Sequence, residues 1–153
     1  MKRLHEILHW LEIHRDFAYS LIRIYLGIAL FVRGWMLLAD PSVITELVGA
    51  DQVYWWYAYV IGAHLIGGLL LTVGFLTRWA ALLQFPILLG AVLFIHLGQG
   101  LMTAGQSLEV ATLVLFMLAV YACFGSGVFA LDHYFAAKKA ASGLAAWDAG
   151  VPA

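Results

Sequence analysis

The stretch YWWYAYVIGAHLIGGLLLTVGFL, from Tyr54 to Leu76, contains no Asp, Glu, Lys or Arg. A membrane-spanning helix needs about 20 mainly apolar residues, and this stretch is long enough to cross a bilayer. Three further stretches of the chain meet the same criterion: residues 17–38, 79–99 and 108–124. None of the four alternates polar and apolar residues as the strands of a membrane barrel do. The sequence therefore predicts an all-α integral membrane protein, a bundle of four transmembrane helices forming a single membrane domain over residues 1–153.

The composition supports a membrane protein and excludes several other classes. Hydrophobic residues make up 64% of the chain and charged residues only 11%, whereas soluble domains carry about 25% charged residues. A net charge of −1 gives no basic surface for a nucleic-acid partner. The single cysteine, Cys123, excludes an internal disulfide and a cysteine-bound iron–sulfur cluster or zinc site. The lipid bilayer is the partner that the composition predicts.

The basic residues outside the spans predict the orientation in the membrane. The loops 39–53 and 100–107 carry no Lys or Arg. All the basic residues outside the spans fall in the other three segments: Lys2, Arg3, Arg15, Arg78, Lys138 and Lys139. Because cytoplasmic loops carry the excess of Lys and Arg, these segments are predicted to be cytoplasmic. Both termini and the tail, residues 125–153, then lie in the cytoplasm.

The segment before the first span has the pattern of an amphipathic helix. Leu4, Ile7, Leu8 and Leu11 fall on one face over residues 1–15, and the charged residues lie mostly elsewhere. Such a helix rests in the membrane interface with its apolar face toward the acyl chains. We predict an N-terminal interfacial helix here.

Four ionisable residues predict a polar cavity, because such groups inside a bilayer are costly and usually face protein or water. Each helix contributes one of them to the predicted outer half of the bundle: Arg33, His64, His96 and Glu109. Arg33 and Glu109 would form a charge pair, and the two histidines would relay protons. The alternative is structural, with the same groups bridging helices and fixing their register. Arg23 lies near the inner end, where it either reaches Gln84 and Tyr121 or extends to the interface.

Helix packing is also readable from glycine and proline. Gly27 and Gly34 lie seven residues apart, as do Gly67 and Gly74, and small residues at such spacings let helices approach closely. Pro86 removes one backbone hydrogen bond inside the third span, so the Leu82 carbonyl needs another polar neighbour.

A haem or metal site is not expected. Two axial histidines of one haem must lie level, but His64 and His96 differ in depth by about 10 Å. A metal held by His96 and Glu109 lacks a third ligand at the same depth. We expect purified protein to show neither haem nor iron–sulfur absorbance.

Several motifs together resemble the DoxX family of small membrane proteins. The clearest is AHLIGGLLLTVGFLTRWAAL, from Ala63 to Leu82. The others are Arg23-Ile24-Tyr25-Leu26-Gly27 followed by Phe31 and Gly34, His96, Gly125-Ser126-Gly127, and Leu131-Asp132. The resemblance covers about residues 20–132 and implies a four-helix protein of the bacterial or archaeal cytoplasmic membrane. Members commonly carry Glu where His64 stands, which keeps a proton-active group but changes its charge.

The resemblance implies a function, because related proteins include the membrane subunit of thiosulfate:quinone oxidoreductase. The expected role is a quinone-linked redox subunit or accessory protein, with quinone as the suspected cofactor. In this role Arg33 would bind a carbonyl or anionic oxygen, His64 and His96 would exchange protons, and Glu109 would orient or neutralise them. Four aromatic residues would sandwich the ring: Trp35, Tyr57, Tyr59 and Phe94. A soluble or membrane redox partner subunit and a homo-oligomer are both open.

Two other function classes remain. A small-molecule transporter or permease would place a carboxylate centrally, whereas Glu109 stands at the end of its span. A non-catalytic assembly or scaffold subunit would need only packing and a docking surface, such as residues 1–15. A quinone-binding role predicts a polar cavity among the helices, and a scaffold predicts a filled bundle centre.

Overall fold

A computed structural model describes residues 14–40, 54–100 and 107–148, together with residue 42 and isolated positions among the first ten. Every regular element in the described ranges is a helix. Four helices are long and apolar enough to cross a membrane, named here spans 1 to 4: Arg15–Ala39, Trp55–Val73, Thr77–His96 and Ser107–Phe124. The predicted all-α fold with four membrane spans is confirmed. The predicted interfacial helix over residues 1–15 lies mostly outside the described residues.

Spans 2 and 3 are each built from more than one kind of helix, whereas spans 1 and 4 are single α-helices. The elements in chain order are α1 (Arg15–Ala39), α2 (Tyr54–Gly62), a π-helical segment (Ala63–Gly67), α3 (Gly68–Val73), α4 (Thr77–Gly90), a second π-helical segment (Ala91–His96), a 3₁₀ turn (Leu97–Gln99), α5 (Ser107–Phe124) and α6 (Leu131–Asp148). Helix α6 follows span 4 in the segment predicted only as a tail.

The spans pack in chain order as an up-and-down bundle. Span 1 lies against span 2, span 2 against span 3 and span 3 against span 4, while a smaller contact between spans 1 and 4 closes the bundle. Spans 2 and 3 are joined by a three-residue turn, which makes them antiparallel neighbours. We call the end that holds this turn the Arg78 end, and the opposite end the Asp40 end.

The bundle centre is apolar and the outer surface remains apolar too. Leu26, Leu71 and Leu118 are among the core side chains with at most 2% exposure. Large side chains such as Phe94 and Phe116 stay exposed on the faces of the spans. In a bilayer this costs nothing, because lipid tails are as apolar as Leu, so the surface is typical of a protein that contacts lipid.

Spans 1 and 2 approach each other closely at glycine residues, as predicted. A Cβ added to Gly68 would lie 2.6 Å from the Phe31 backbone nitrogen, and one added to Gly34 would lie 2.8 Å from the His64 Cβ. Gly74 has a different role from the packing that its spacing predicted. It ends α3 in the left-handed conformation at φ 74°, where a side chain would be strained.

The two π-helical segments were not predicted, and each contains one of the candidate histidines. His64 lies in the segment Ala63–Gly67 and His96 ends the segment Ala91–His96. A π-helical turn inserts an extra residue into the hydrogen-bonding pattern, and such turns often occur at functional sites. Both histidines therefore stand where the backbone departs from regular α-helix.

Candidate functional site

His64 is buried inside the bundle, with only 2% of its surface exposed. Its Nδ1 lies 2.8 Å from the Val60 carbonyl oxygen. A carbonyl oxygen can only accept, so Nδ1 carries the proton and donates it in this hydrogen bond. In the neutral ring the other nitrogen, Nε2, is then a hydrogen-bond acceptor. The backbone thus fixes both the orientation and the tautomer of this imidazole.

The other three predicted polar residues are less buried than His64. Arg33 is exposed on span 1 but within electrostatic range of the His64 ring. His96 and Glu109 are half-buried on spans 3 and 4. The structure thus associates Arg33 with His64, and the shared cavity of all four residues stays a prediction.

The four aromatic residues predicted to hold a ring are placed differently from one another. Trp35 is 61% exposed and Phe94 is 86% exposed. Tyr59 donates its hydroxyl to the Leu83 carbonyl at 2.7 Å. Pro86 frees the Leu82 carbonyl, for which a polar neighbour was predicted. The Tyr59 bond is made to the adjacent carbonyl, that of Leu83. The Tyr57 hydroxyl is buried and has no hydrogen-bond partner among the described residues.

The most complete polar contacts of the described bundle lie at the Arg78 end. Arg23 on span 1 is 1% exposed and does not extend to the interface. Its Nη1 donates to the carbonyl oxygens of Leu71 at 2.6 Å and Thr72 at 3.2 Å. Its Nη2 donates to the Phe129 carbonyl oxygen at 2.5 Å. One guanidinium therefore joins span 1, the last turn of span 2 and the segment before α6.

Asp132, in the first turn of α6, completes the same junction from the other side. Its two carboxylate oxygens accept the backbone N–H groups of Leu76 at 2.8 Å and Thr77 at 2.9 Å. Its own backbone N–H donates to the Gly74 carbonyl oxygen at 3.0 Å. The first N–H groups of a helix lack partners within it, so Asp132 caps span 3 from a distant part of the chain.

Arg23 and Asp132 together form what we call the clamp of the turn between spans 2 and 3. A cation lies at the C-terminal end of span 2 and an anion at the N-terminal start of span 3, which complements both helix dipoles. The sequence indicated Arg23 as an ionisable residue near the inner end of span 1, and it indicated Asp132 only through the family resemblance. Periodicity cannot reveal their contacts, because the partners lie 48 to 106 residues apart.

The clamp predicts a measurable loss of stability when the carboxylate is removed. Asp132→Ala leaves the N–H groups of Leu76 and Thr77 without their acceptor and should lower the free energy of unfolding by about 1–2 kcal/mol. Asp132→Asn keeps one acceptor oxygen and should lose less. Denaturant unfolding in detergent measures both changes. Asp16→Ala, at an exposed carboxylate, is the matched control, and an equal loss in that variant would contradict the capping role.

A second polar contact joins spans 1 and 4 near the clamp. The Tyr121 hydroxyl donates to the Tyr19 carbonyl oxygen at 2.8 Å, and the Tyr19 hydroxyl donates to the Gly125 carbonyl oxygen at 3.0 Å. The two rings lie 4.9 Å apart. These two hydrogen bonds link the first span to the last one. They therefore hold the bundle closed at the pair of spans whose direct contact is smallest.

The fold and the clamp define a class: a small membrane protein built as an up-and-down bundle of four helices. The family model DoxX matches residues 18–97, slightly more than half of the chain. The chain belongs to the DoxX family. The matched range covers most of spans 1 to 3, including Arg23 and His64. Neither a curated protein nor a solved structure matches the chain.

Proposed function

We propose that the protein is a quinone-linked redox subunit of the membrane, with a site for the quinone ring beside His64. The observation that carries the proposal is the buried imidazole whose Nδ1–H is bound to the Val60 carbonyl oxygen. Its Nε2 can accept the hydroxyl proton of a quinol, and the imidazolium so formed can return it. A partner subunit supplies or receives the electrons.

The neighbours of His64 support this role. Arg33 on span 1 would bind a carbonyl oxygen of the ligand. Tyr57 lies seven residues before His64 in span 2, and its buried hydroxyl is available as a donor. In the proposed site His96 relays protons and Glu109 orients or neutralises the bound groups. An acceptor and a donor on one span fit a ligand with oxygens at both ends of its ring.

Quinol binding is the direct test. We expect decylubiquinol, the reduced form whose hydroxyl group can donate to Nε2, to quench the tryptophan fluorescence of the purified protein saturably. His64→Asn retains a donor near the Nδ1 position for the Val60 carbonyl but removes Nε2. This variant should bind about tenfold more weakly, a loss of about 1.4 kcal/mol, because one buried hydrogen bond is missing.

His133→Asn provides the matched control, since His133 is exposed on α6. Its affinity for decylubiquinol should equal that of the wild type, and thermal unfolding should show that both variants are folded. Non-saturable quenching by the wild type would contradict the proposal, as would unchanged affinity in His64→Asn.

We further propose that the protein lies in the bacterial or archaeal inner membrane with the Arg78 end in the cytoplasm. The positive-inside rule supports this orientation, because Arg78, Lys138 and Lys139 all lie at that end. Alkaline phosphatase fused within loop 39–53 or 100–107 should be active, whereas fusions after Arg78 or Lys139 should be inactive. Activity after Arg78 would reverse the orientation.

A second candidate function is that of an assembly or scaffold subunit. It is favoured by the clamp, because Arg23 and the turn after Gly74 are part of the family resemblance and both serve the architecture. A scaffold requires no ligand at His64. Absence of saturable decylubiquinol binding by folded wild-type protein would therefore favour this second function.

A further inference from the structure

An open cavity lies at the Arg78 end of the bundle, next to the clamp. Its volume is about 560 Å³, within the range of about 300–1,000 Å³ that is usual for small-ligand sites. Its walls are the turn between spans 2 and 3, the segment 124–128 and the start of α6. Spans 2 and 4 end here and span 3 begins here. In a bilayer the cavity therefore lies at the level of the lipid headgroups.

Arg78 brings a positive charge to this cavity. Its side chain is exposed, and in the described part of the chain it takes part in no ion pair. It lies over Gly125, where an added Cβ would be 3.3 Å from the arginine Nε. The guanidinium group therefore lies between the start of span 3 and the residue that follows span 4. Its fork of N–H donors matches the oxygens of a phosphate group.

The Ser126 hydroxyl is a second donor in the lining of the cavity. It lies 3.5 Å from the Gly127 carbonyl oxygen, which is beyond the usual length of a hydrogen bond between two oxygens. A phosphate oxygen is a stronger acceptor, because hydrogen bonds to an ionised group are shorter and about twice as strong. The hydroxyl is therefore available to an anion that binds Arg78.

Asp132 also lines the cavity, but its carboxylate is engaged in the clamp. Its two oxygens accept the backbone N–H groups of Leu76 and Thr77. The buried Arg23 interacts with the same carboxylate through its charge and offsets it. The charge of Arg78 is not offset in this way, so the cavity favours an anion.

The apolar part of the lining indicates that this anion belongs to a lipid. Trp79 is 70% exposed and Phe124 is 76% exposed, and both line the cavity. Tryptophan is enriched at the level of the headgroups in membrane proteins. A soluble phosphate ion would contact the polar groups alone, whereas a phospholipid matches the polar groups with its head and the two rings with its acyl chains.

We propose that this cavity is a binding site for an anionic phospholipid. The phosphate accepts hydrogen bonds from the Arg78 guanidinium and the Ser126 hydroxyl, and the acyl chains extend along Trp79 and Phe124. The bound lipid connects the start of span 3 with the end of span 4 outside the bundle. His64 is not part of the lining, so this site is separate from the proposed quinone site and does not depend on it.

Native mass spectrometry of the protein released from detergent micelles tests the site. The probes are phosphatidylglycerol, which is anionic, and phosphatidylcholine with the same acyl chains, which is zwitterionic. We expect the wild type to bind one phosphatidylglycerol about fivefold more tightly than phosphatidylcholine, the effect of one basic residue at an anionic lipid surface. Arg78→Gln should bind the two lipids equally. Thermal unfolding should show that this variant is folded, because the replaced side chain is exposed.

Lys138→Gln is the matched control, since it removes the same charge from an exposed residue at the same end, outside the cavity lining. It should keep the preference for phosphatidylglycerol. Equal binding of the two lipids by the wild type would overturn the proposal, and so would an equal loss of preference in both variants. Inorganic phosphate, added at the concentration of the lipid, should leave the lipid bound. Its displacement would instead assign the cavity to a soluble phosphate ion and overturn the lipid site.

Discussion

Replacement of Arg23 by methionine is expected to cost more stability than any other single change in the membrane-spanning core. Methionine fills similar volume but donates no hydrogen bond. The carbonyl oxygens of Leu71, Thr72 and Phe129 would lose their shared donor. The Leu71 oxygen would keep the Gly74 N–H, so at about 1–3 kcal/mol for each buried group left unpaired we expect a loss of about 3 kcal/mol. Unfolding in mixed detergent micelles, followed by tryptophan fluorescence, measures it.

Arg33→Met is the matched control on the same helix, since Arg33 is exposed. It should change the free energy of unfolding little. Arg23→Lys should be intermediate, because an ammonium keeps the charge but cannot reach both sides of the turn as a planar guanidinium does. If Arg23→Met unfolds at the same denaturant concentration as the wild type, the clamp does not hold the turn.

Gly68→Ala is also expected to destabilise the protein strongly, because it separates spans 1 and 2. The added methyl group would lie 2.6 Å from the Phe31 nitrogen and 2.8 Å from the Gly27 carbonyl oxygen. Both atoms belong to backbone, which cannot rotate away as a side chain can. Overpacking costs about 1–3 kcal/mol where a core can adjust, and here we expect the upper end of that range in the same unfolding experiment.

Gly62→Ala is the control for this change, since nothing lies within 4 Å of the added Cβ. Alanine favours helix over glycine by about 1 kcal/mol, so this variant should equal or exceed the wild type in stability. A Gly68→Ala protein as stable as Gly62→Ala would show that spans 1 and 2 do not pack as closely as described.

The architecture was predictable because a bilayer imposes a simple rule on sequence. Backbone groups must be satisfied within each segment, so a long apolar run such as Tyr54–Leu76 has few structures other than a spanning helix. The close packing at Gly27 and Gly34 was predictable for a similar reason. Helices in lipid associate where small residues align, and that alignment is a matter of spacing along one helix.

The role of Arg23 was only partly predictable. Its position near the end of span 1 limited it to that end of the bundle, where it was predicted either to reach Gln84 and Tyr121 or to extend to the interface. Its hydrogen bonds go instead to the Leu71, Thr72 and Phe129 carbonyl oxygens. Every residue carries a backbone carbonyl oxygen, so the sequence does not indicate which of them the guanidinium will bind.

The candidate site was less accessible still. The π-helical segments around His64 and His96 depend on how spans 2 and 3 pack against their neighbours. Intrinsic helix propensities do not predict where a π-helical turn inserts its extra residue. The unpartnered amide of Gln84 likewise follows from the space left by Gly67 on another helix. A polar residue in an apolar run indicates a free-energy cost of burial, and only the packed bundle shows which groups surround that side chain.

The sequence by itself determined four membrane spans, an all-helical fold and the candidate polar residues, because hydrophobicity and helical period are local properties of a chain in lipid. The tertiary structure decided the clamp on the turn between spans 2 and 3 and the placement of Gln84. The clamp depends on which backbone carbonyl or N–H of a distant segment comes within about 3 Å, and the Gln84 amide occupies space left by Gly67 on another helix. Such proximity arises only when helices far apart in the chain pack together.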